Sequence, residues 1–429
     1  MQFLKYRLNQ YLIIFTSFVA INSSIATLLK VIFILINLIF FLNWYSKNKN
    51  DFFIKLLKFL LFASIFNCVV FTFYRDELSF GSNEFFSLFS TSSSDLSLNS
   101  FYYNTTRNFI VDIFFTASVL ALMLFHSNNF IIGILFRVIL FCLILVIVEL
   151  ILGYNPIQET VVSKLDELNN DQDLAQRLSM VFREPMSAGY FYVFVFIIII
   201  NYFKGLKKKI GYLFLIIGLG ISSKAQYLSF LLFSFIRLNF KKLLIFLILF
   251  SLFLFYMQEN IYVENSLMFI SSVYENGFDF IYEQIGGDTY YVRFYGIALS
   301  ILGFIEYPLG VGYGGHVYIF ETILSNIFFD AEMPHEIKTY LDSYITLLSP
   351  KSNFFLFLIS FGVFFLIFIY KLTRFFFKTR KLNNSLYNAF LITLIMSVFA
   401  EMNPMLLYFA ILYGLQQNTN FKTHKNISH

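Results

Sequence analysis

The chain has 429 residues, of which 58% are hydrophobic and only 13% charged, and its mean hydropathy is +0.70. So little polar surface cannot cover a water-soluble globule, which excludes a soluble enzyme or binding domain and indicates a polytopic membrane protein. Its 61 Phe and 28 Tyr residues are interpreted mostly as lipid-facing bulk. Cys68 and Cys142 lie in apolar segments, where packing as small hydrophobic side chains is expected rather than a disulfide or a metal site.

Apolar runs long enough to cross a bilayer as helices recur along the whole chain. Lys5 and Arg7 precede the first run and no small-residue cleavage pattern follows it, so this run is expected to be an uncleaved anchor. The sequence predicts spans at about 11–27, 29–45, 56–74, 109–126, 130–152, 187–203, 210–222, 225–239, 243–258, 353–371, 385–400 and 402–417.

The distribution of Lys and Arg predicts the orientation, because cytoplasmic loops retain positive charge. With the N-terminus inside, 20 of the 31 basic residues fall on the inner side. Two helices over 210–239, rather than one, keep Lys224 out of the middle of the membrane, where it would cost about 2.5 to 3.5 kcal/mol. Both termini are therefore predicted to be cytoplasmic.

The polar content then falls in three outer segments, at 75–108, 153–186 and 259–350. The inner loops are short and contain no GxxxxGK[ST] motif, which disfavours ATP hydrolysis and the use of a soluble nucleotide-sugar donor. The predicted fold is an all-α polytopic membrane protein with about 12 transmembrane helices and one large extracytoplasmic loop between helices 9 and 10. Its predicted parts are an N-terminal membrane bundle, the large loop, and C-terminal membrane helices with a short cytoplasmic tail, at 1–258, 259–350 and 351–429.

Basic residues near two outer turns are candidates for binding an anion. Arg177, Arg183 and Glu184 precede a span, and an Arg fork suits phosphate oxygens, although a charged collar at the headgroups is equally compatible. Lys224 lies at the outer end of two spans, where it can either extend toward the headgroups or supply charge to a pyrophosphate.

The large loop contains further candidates. Arg293 lies in the segment YYVRFYGIAL, which is predicted to be an amphipathic helix on the membrane, and it either pairs with an acid such as Asp288 or faces a ligand. Gly310 and Gly312 belong to PLGVGYGG, a turn that can offer backbone N–H groups to an anion. His316 and His335 are the outer histidines, and each is either a surface residue or a general base.

Four segments occur in an order that resembles a known family: RLSMVFREPMSAGY, GISSKAQYLSF, VRFYGIALSILGFIEYPLGVGYG and SPKSNFFLFLISFGVFFLI. Together with the predicted topology, they make the chain similar to the O-antigen polymerase and O-antigen ligase superfamily of bacterial envelope glycosyltransferases. Arg177 and the Glu184-Pro185 pair, Lys224 and Arg293 match motif positions of that family. The ligases have a His before the span that follows the large loop, where this chain has Lys351, so the resemblance favours a polymerase.

The resemblance implies transfer of a growing glycan from undecaprenyl pyrophosphate to an incoming lipid-linked repeat unit, on the outer face of the bacterial cytoplasmic membrane. No metal, nucleotide or other cofactor is expected, and no nucleic acid partner. Besides membrane lipids and the lipid-linked oligosaccharides, a chain-length regulator and a flippase are the candidate partners. The catalytic residues implied are Arg177, Lys224 and Arg293 at the pyrophosphate, with Glu184 and His335 at the acceptor hydroxyl; Arg183, Gly310, Gly312 and Lys351 are the substrate-binding candidates.

Two alternatives remain. One is an O-antigen ligase, which uses the same chemistry. The other is a flippase or transporter of lipid-linked oligosaccharides, which should line a cavity within the membrane with charges. Only Arg137 is predicted to be clearly intramembrane, so this second class is disfavoured.

Overall fold

A computed structural model describes residues 23–74, 98–125, 128–152, 202–220, 288–327, 350, 352–381, 383–399 and 405–427. These residues form helices and short connections, with no strand among them. In chain order the helices are α1 (Ser23–Asn48), α2 (Phe52–Tyr74), α3 (Leu98–Phe125), α4 (Asn128–Leu152), α5 (Gly205–Gly220), α6 (Asp288–Glu306), α7 (His316–Ile327), α8 (Asn353–Phe361), α9 (Val363–Thr379), α10 (Asn384–Phe399) and α11 (Met405–Ile427).

Among the described residues, three helices are long and apolar enough to cross a membrane, over Thr27–Asn48, Phe52–Phe71 and Tyr102–Phe125. Ile39 on α1 and Ile151 on α4 are 84% and 76% exposed. Large apolar side chains exposed in this way are suited to contact with lipid chains and not with water. The chain is therefore a helical membrane protein. The number of spans stays a prediction, because 225–239, 243–258 and most of 11–27 and 187–203 lie outside the described residues.

The helix ends differ from the prediction in three places. Helix α3 begins at Leu98, so the predicted outer loop at 75–108 ends earlier than expected. Helix α11 runs to Ile427 and includes most of the predicted cytoplasmic tail. The helix is interrupted within the span predicted at 353–371, because Gly362 separates α8 from α9 with a φ of 54° and a ψ of −132°.

The chain divides into two compact units, of which the first comprises Met1–Leu61, Arg107–Leu232 and Phe368–His429. Within this unit α1 and α3 run parallel, because residues further along α1 contact residues further along α3. Lys30 Nζ lies 2.5 Å from Asp112 Oδ1. One turn further on, the rings of Phe33 and Phe115 meet edge to face at 5.1 Å. An ion pair and an aromatic pair therefore hold these two helices together.

Asp51 connects α2 to α11 in the first unit. Its carboxylate accepts the N–H groups of Phe53 and Ile54 at 2.9 and 3.2 Å, which caps the first turn of α2. The hydroxyl of Tyr413 on α11 donates to the same carboxylate at 2.9 Å. Burial raises the pKa of Asp51, and these donors oppose that rise.

The second unit comprises Phe62–Thr106 and Phe233–Ile367. Helix α6 packs closely against α8 and Pro350, because α6 has glycines at the points of contact. A Cβ on Gly303 would lie 2.6 Å from Ile359 Cδ1, and a Cβ on Gly296 would lie 2.7 Å from Pro350 Cα. Ser300, between them, is fully buried. The helix predicted around Arg293 is thus present and packed against its neighbours on one side.

Candidate functional site

The segment Pro308–Gly315, which we call the glycine loop, connects α6 to α7 in the second unit. Gly310, Gly312 and Gly314 have φ values of 87°, 82° and 101°, a region that residues with a Cβ rarely adopt. The alternating glycines therefore impose a backbone path that other residues would not follow.

The glycine loop docks on the end of α8. The last carbonyls of a helix lack donors within the helix and need partners from elsewhere. The N–H groups of Val311 and Gly312 donate to the carbonyls of Ile359 and Ser360 at 3.1 and 2.8 Å. In the other direction, the N–H of Val363 donates to the Pro308 carbonyl at 2.8 Å. The loop and the helix break at Gly362 therefore stabilise each other.

Close approach also requires glycine at these positions. A Cβ on Gly310 would lie 2.7 Å from the backbone of Phe361, and one on Gly312 would overlap the Tyr102 hydroxyl on α3. A Cβ on Gly362 would overlap the Pro308 carbonyl. A side chain at Gly310 or Gly362 fits only if the backbone moves, and one at Gly312 fits only if the Tyr102 side chain moves.

Buried polar side chains surround the loop. Asn67 on α2 donates its Nδ2 to the Ser360 carbonyl at 2.8 Å, so this carbonyl accepts from both Asn67 and Gly312. The Thr106 hydroxyl on α3 donates to the Tyr313 carbonyl at 3.0 Å. The hydroxyl of Tyr102 interacts with Cys68 and Thr106. Helices α2 and α3 therefore both hold the loop by polar contacts.

Some polar atoms at this place have no hydrogen-bond partner among the described residues: Asn67 Oδ1, Ser360 Oγ and both ring nitrogens of His316. Asn67 and Ser360 are fully buried, and the exposed fraction of His316 is 4%. A buried polar group without a partner costs about 1 to 3 kcal/mol, so such groups usually bind water or a ligand. These atoms are the candidate binding groups of the second unit.

His316 is the first residue of α7 and follows the glycine loop directly. Its ring meets Phe320 edge to face at 5.5 Å. Burial lowers the pKa of His316 to about 4, because the cationic ring would lose its hydration. The ring is therefore neutral at neutral pH and can accept a proton or a hydrogen bond.

Of the site candidates predicted from the sequence, four lie within the described parts: Arg293, Gly310, Gly312 and His316, whose burial rules out the surface alternative. Arg293 lies on α6 one turn before Gly296, which packs on Pro350, the chain neighbour of Lys351. Gly310 and Gly312 lie together in the glycine loop, but their N–H groups donate to the carbonyls of Tyr307 and Ser360. The N–H groups of these two glycines are thus used within the fold. The other predicted site residues lie outside the described residues: Arg177, Arg183, Glu184, Lys224, His335 and Lys351.

The sequence prediction missed Asn67, Tyr102 and Ser360. Asn67 had a usable signal, because an amide inside an apolar span is costly and needs a partner. Tyr102 and Ser360 had none, since their importance depends on contacts with a distant loop. Among the described residues, no group of three His, Cys, Asp or Glu side chains is placed to hold a metal ion.

Comparison with protein-family models, with curated proteins and with solved structures finds no match to this chain. The chemistry of the region therefore has to be inferred from its own residues.

Proposed function

We propose that the chain is a polysaccharide polymerase that uses glycans linked to undecaprenyl pyrophosphate. It joins the growing glycan to an incoming lipid-linked repeat unit at the outer face of the cytoplasmic membrane. The proposal rests on the resemblance of four ordered segments to the polymerase and ligase superfamily, and on the chemistry that a membrane-embedded transferase requires.

The reaction breaks the bond between the anomeric carbon of the growing glycan and the pyrophosphate oxygen. The pyrophosphate leaves with the electron pair, the acceptor hydroxyl forms the new glycosidic bond, and its proton passes to a base. Negative charge builds on the leaving group, so cations near headgroup depth would stabilise the transition state. Arg177, Lys224 and Arg293 take this role in the proposal, with Arg183 and Lys351 helping to bind the lipid pyrophosphate.

The structural observation that best supports the proposal is the docking of the glycine loop. In the segment that runs from Arg293 to the glycines, α6 packs on the chain near α8 through Gly296 and Gly303. The loop binds the carbonyls of Ile359 and Ser360. Gly310 and Gly312 therefore serve as the rigid support of this segment. A rigid support suits an Arg that has to meet a developing charge.

Orientation of the acceptor hydroxyl is assigned to Glu184 and His335. A carboxylate or a neutral imidazole can accept the proton if it lies within hydrogen-bond reach of the hydroxyl. Each assignment is tested by substitution to Gln, which keeps the size of the side chain but removes most of its basicity.

Genetic replacement in the host tests the function. Arg293→Ala should abolish long-chain polysaccharide while single lipid-linked repeats remain displayed outside the membrane. Repeats that accumulate on the cytoplasmic side would instead favour the flippase alternative. Transfer of one finished glycan to a different lipid acceptor would favour the ligase alternative.

A further inference from the structure

We infer that the first unit carries a binding site for anionic phospholipid headgroups on the paired surfaces of α2 and α9. The site consists of Lys55, Lys58, Lys371, Arg374 and Lys378, which we call the basic patch. All these side chains are exposed. The inference does not depend on the proposed polymerase function.

Two ring contacts place α2 beside α9 and fix their register. The rings of Phe52 and Phe375 stack at 5.1 Å, and Lys371 Nζ lies 5.5 Å from the ring centroid of Phe59. The two helices therefore run antiparallel here. Lys55 and Lys58 lie between the two contact points on α2, a length of about 10 Å at 1.5 Å per residue.

On α9 the cations share one face. Lys371, Arg374 and Lys378 are spaced by three and four residues, which lines them up along a helix. Leu372 and Phe376, on a different face, are fully buried. The basic stripe therefore faces away from the packed side of α9 and continues into exposed Arg380 and Lys381 at its end.

No acidic residue offsets this charge within the two helices, since neither α2 nor α9 contains Asp or Glu. The neighbouring carboxylate of Asp51 accepts from Phe53, Ile54 and Tyr413 and also interacts electrostatically with Lys55. The five cations of the basic patch outnumber this one carboxylate, so the patch keeps a net positive charge that suits a partner with several negative charges.

The position of the patch identifies that partner as lipid. Lys55 and Lys58 lie in the first two turns of the apolar window Phe52–Phe71, so they are at one end of a membrane helix. Tyr370 and Phe377 on α9 are 62% and 49% exposed beside the cations, and Lys58 Nζ lies 4.7 Å from the ring centroid of Tyr45. Cations with aromatic rings at the end of a span are typical of the headgroup layer. Phosphodiester headgroups of an anionic leaflet supply the matching charge.

The test uses the full chain in a nonionic detergent, with dioleoyl phosphatidylglycerol or dioleoyl phosphatidylcholine added. Binding is measured by native mass spectrometry and by the shift in unfolding midpoint. We expect phosphatidylglycerol to bind more tightly than phosphatidylcholine. The variant Lys371→Gln/Arg374→Gln/Lys378→Gln should lose at least about tenfold in affinity for phosphatidylglycerol, since each cation near an anionic surface is worth about 1 kcal/mol, or roughly fivefold.

The matched control is Lys207→Gln/Lys208→Gln/Lys209→Gln on α5, which removes the same charge from a different place. Its affinity for phosphatidylglycerol should stay within about twofold of the unchanged chain, because these lysines lie on another helix and are not part of the basic patch. Equal losses in both triple variants, or no loss in the α9 variant, would overturn the site.

Two further measurements keep the inference testable. If the α9 triple variant fails to fold, Lys378→Gln alone should weaken binding about fivefold, and unchanged binding would contradict the site. Soluble glycerol phosphate at the same phosphate concentration should not compete. Displacement of the lipid by glycerol phosphate or by an oligonucleotide would overturn the assignment to lipid.

Discussion

The side-chain amide of Asn67 donates to the carbonyl of Ser360 at 2.8 Å, joining residues 293 positions apart. Both residues are fully buried, and the same carbonyl accepts the N–H of Gly312. This contact connects α2 to the end of α8 and to the glycine loop. The loop that follows Arg293 is therefore held by three parts of the sequence at once.

Asn67→Asp should destabilise the second unit. The substitution keeps the size of the side chain but replaces the donor to the Ser360 carbonyl with a buried carboxyl group, which costs about 1 to 3 kcal/mol or more. The unfolding midpoint in detergent should fall by a few degrees. Asn43→Asp on the exposed side of α1 is the matched control and should leave the midpoint unchanged. A midpoint for Asn67→Asp equal to that of the control would show that the contact adds no stability.

Gly312→Ala should be far more damaging than an ordinary glycine substitution. It forces a Cβ onto a residue with φ of 82° and onto the Tyr102 hydroxyl. The cost of the left-handed backbone alone is about 1 to 2 kcal/mol, so the yield of folded protein should drop. Combining it with Tyr102→Phe should recover only part of the loss, because the backbone strain remains.

Gly133→Ala on α4 is the control for that experiment. Its Cβ would meet nothing within 4 Å, and Ala favours a helix by about 0.5 to 1 kcal/mol over Gly. Its unfolding midpoint should stay the same or rise. Equal damage from Gly312→Ala and Gly133→Ala would contradict the docked glycine loop.

His316 should make the stability depend on pH. Its pKa in the folded chain is about 4, below the value of about 6.5 expected when the chain is unfolded. The unfolded chain therefore takes up a proton that the buried ring does not, and stability falls as the pH drops from about 6.5 toward about 4, by up to about 3 kcal/mol.

His316→Phe should remove that part of the pH dependence. The measurement is the unfolding midpoint of both chains at pH 7 and pH 5 in the same detergent. The unchanged chain should lose more stability between these pH values than the variant. An identical loss in the two chains would mean that the ring is not buried as a neutral group.

Tyr413→Phe should weaken the first unit by about 1 to 3 kcal/mol, because the hydroxyl donates to Asp51 and accepts from Gln417 Nε2 at 3.0 Å, and one hydrogen bond contributes about 0.5 to 1.5 kcal/mol. Asp51→Ala removes the bond from Tyr413 and the cap of α2, which is worth about 0.5 to 2 kcal/mol. The double variant should lose less than the sum of the two single variants, because both of them remove the bond between Tyr413 and Asp51. Strictly additive losses in a double-mutant cycle would show that the two side chains act independently.

The apolar runs predict most of the described helices, because a bilayer helix needs a continuous apolar stretch. The early start of α3 at Leu98 was not predictable in this way, since LNSFYYNTTRN contains polar residues typical of a loop. Tyr102 and Thr106 in that stretch instead pack against Gly312 and Tyr313. Tertiary contacts therefore decide where this helix begins.

The break at Gly362 was missed for a related reason. The segment LISFGVFFLI is apolar throughout, and a lone glycine is tolerated within a membrane helix. The break becomes favourable only because Val311, Gly312 and Asn67 supply donors to the carbonyls it exposes. The turn at the glycines was predictable from PLGVGYGG, whereas the use of its N–H groups within the fold was not.

The most direct test of the polymerase proposal is reconstitution of the purified chain in liposomes with one lipid-pyrophosphate oligosaccharide. No nucleotide is added, and a chelator removes divalent metal. The expected result is a ladder of glycans that differ by one repeat unit. The Arg293→Ala variant should produce no ladder. Unextended oligosaccharide with the unchanged, folded chain would contradict the proposal.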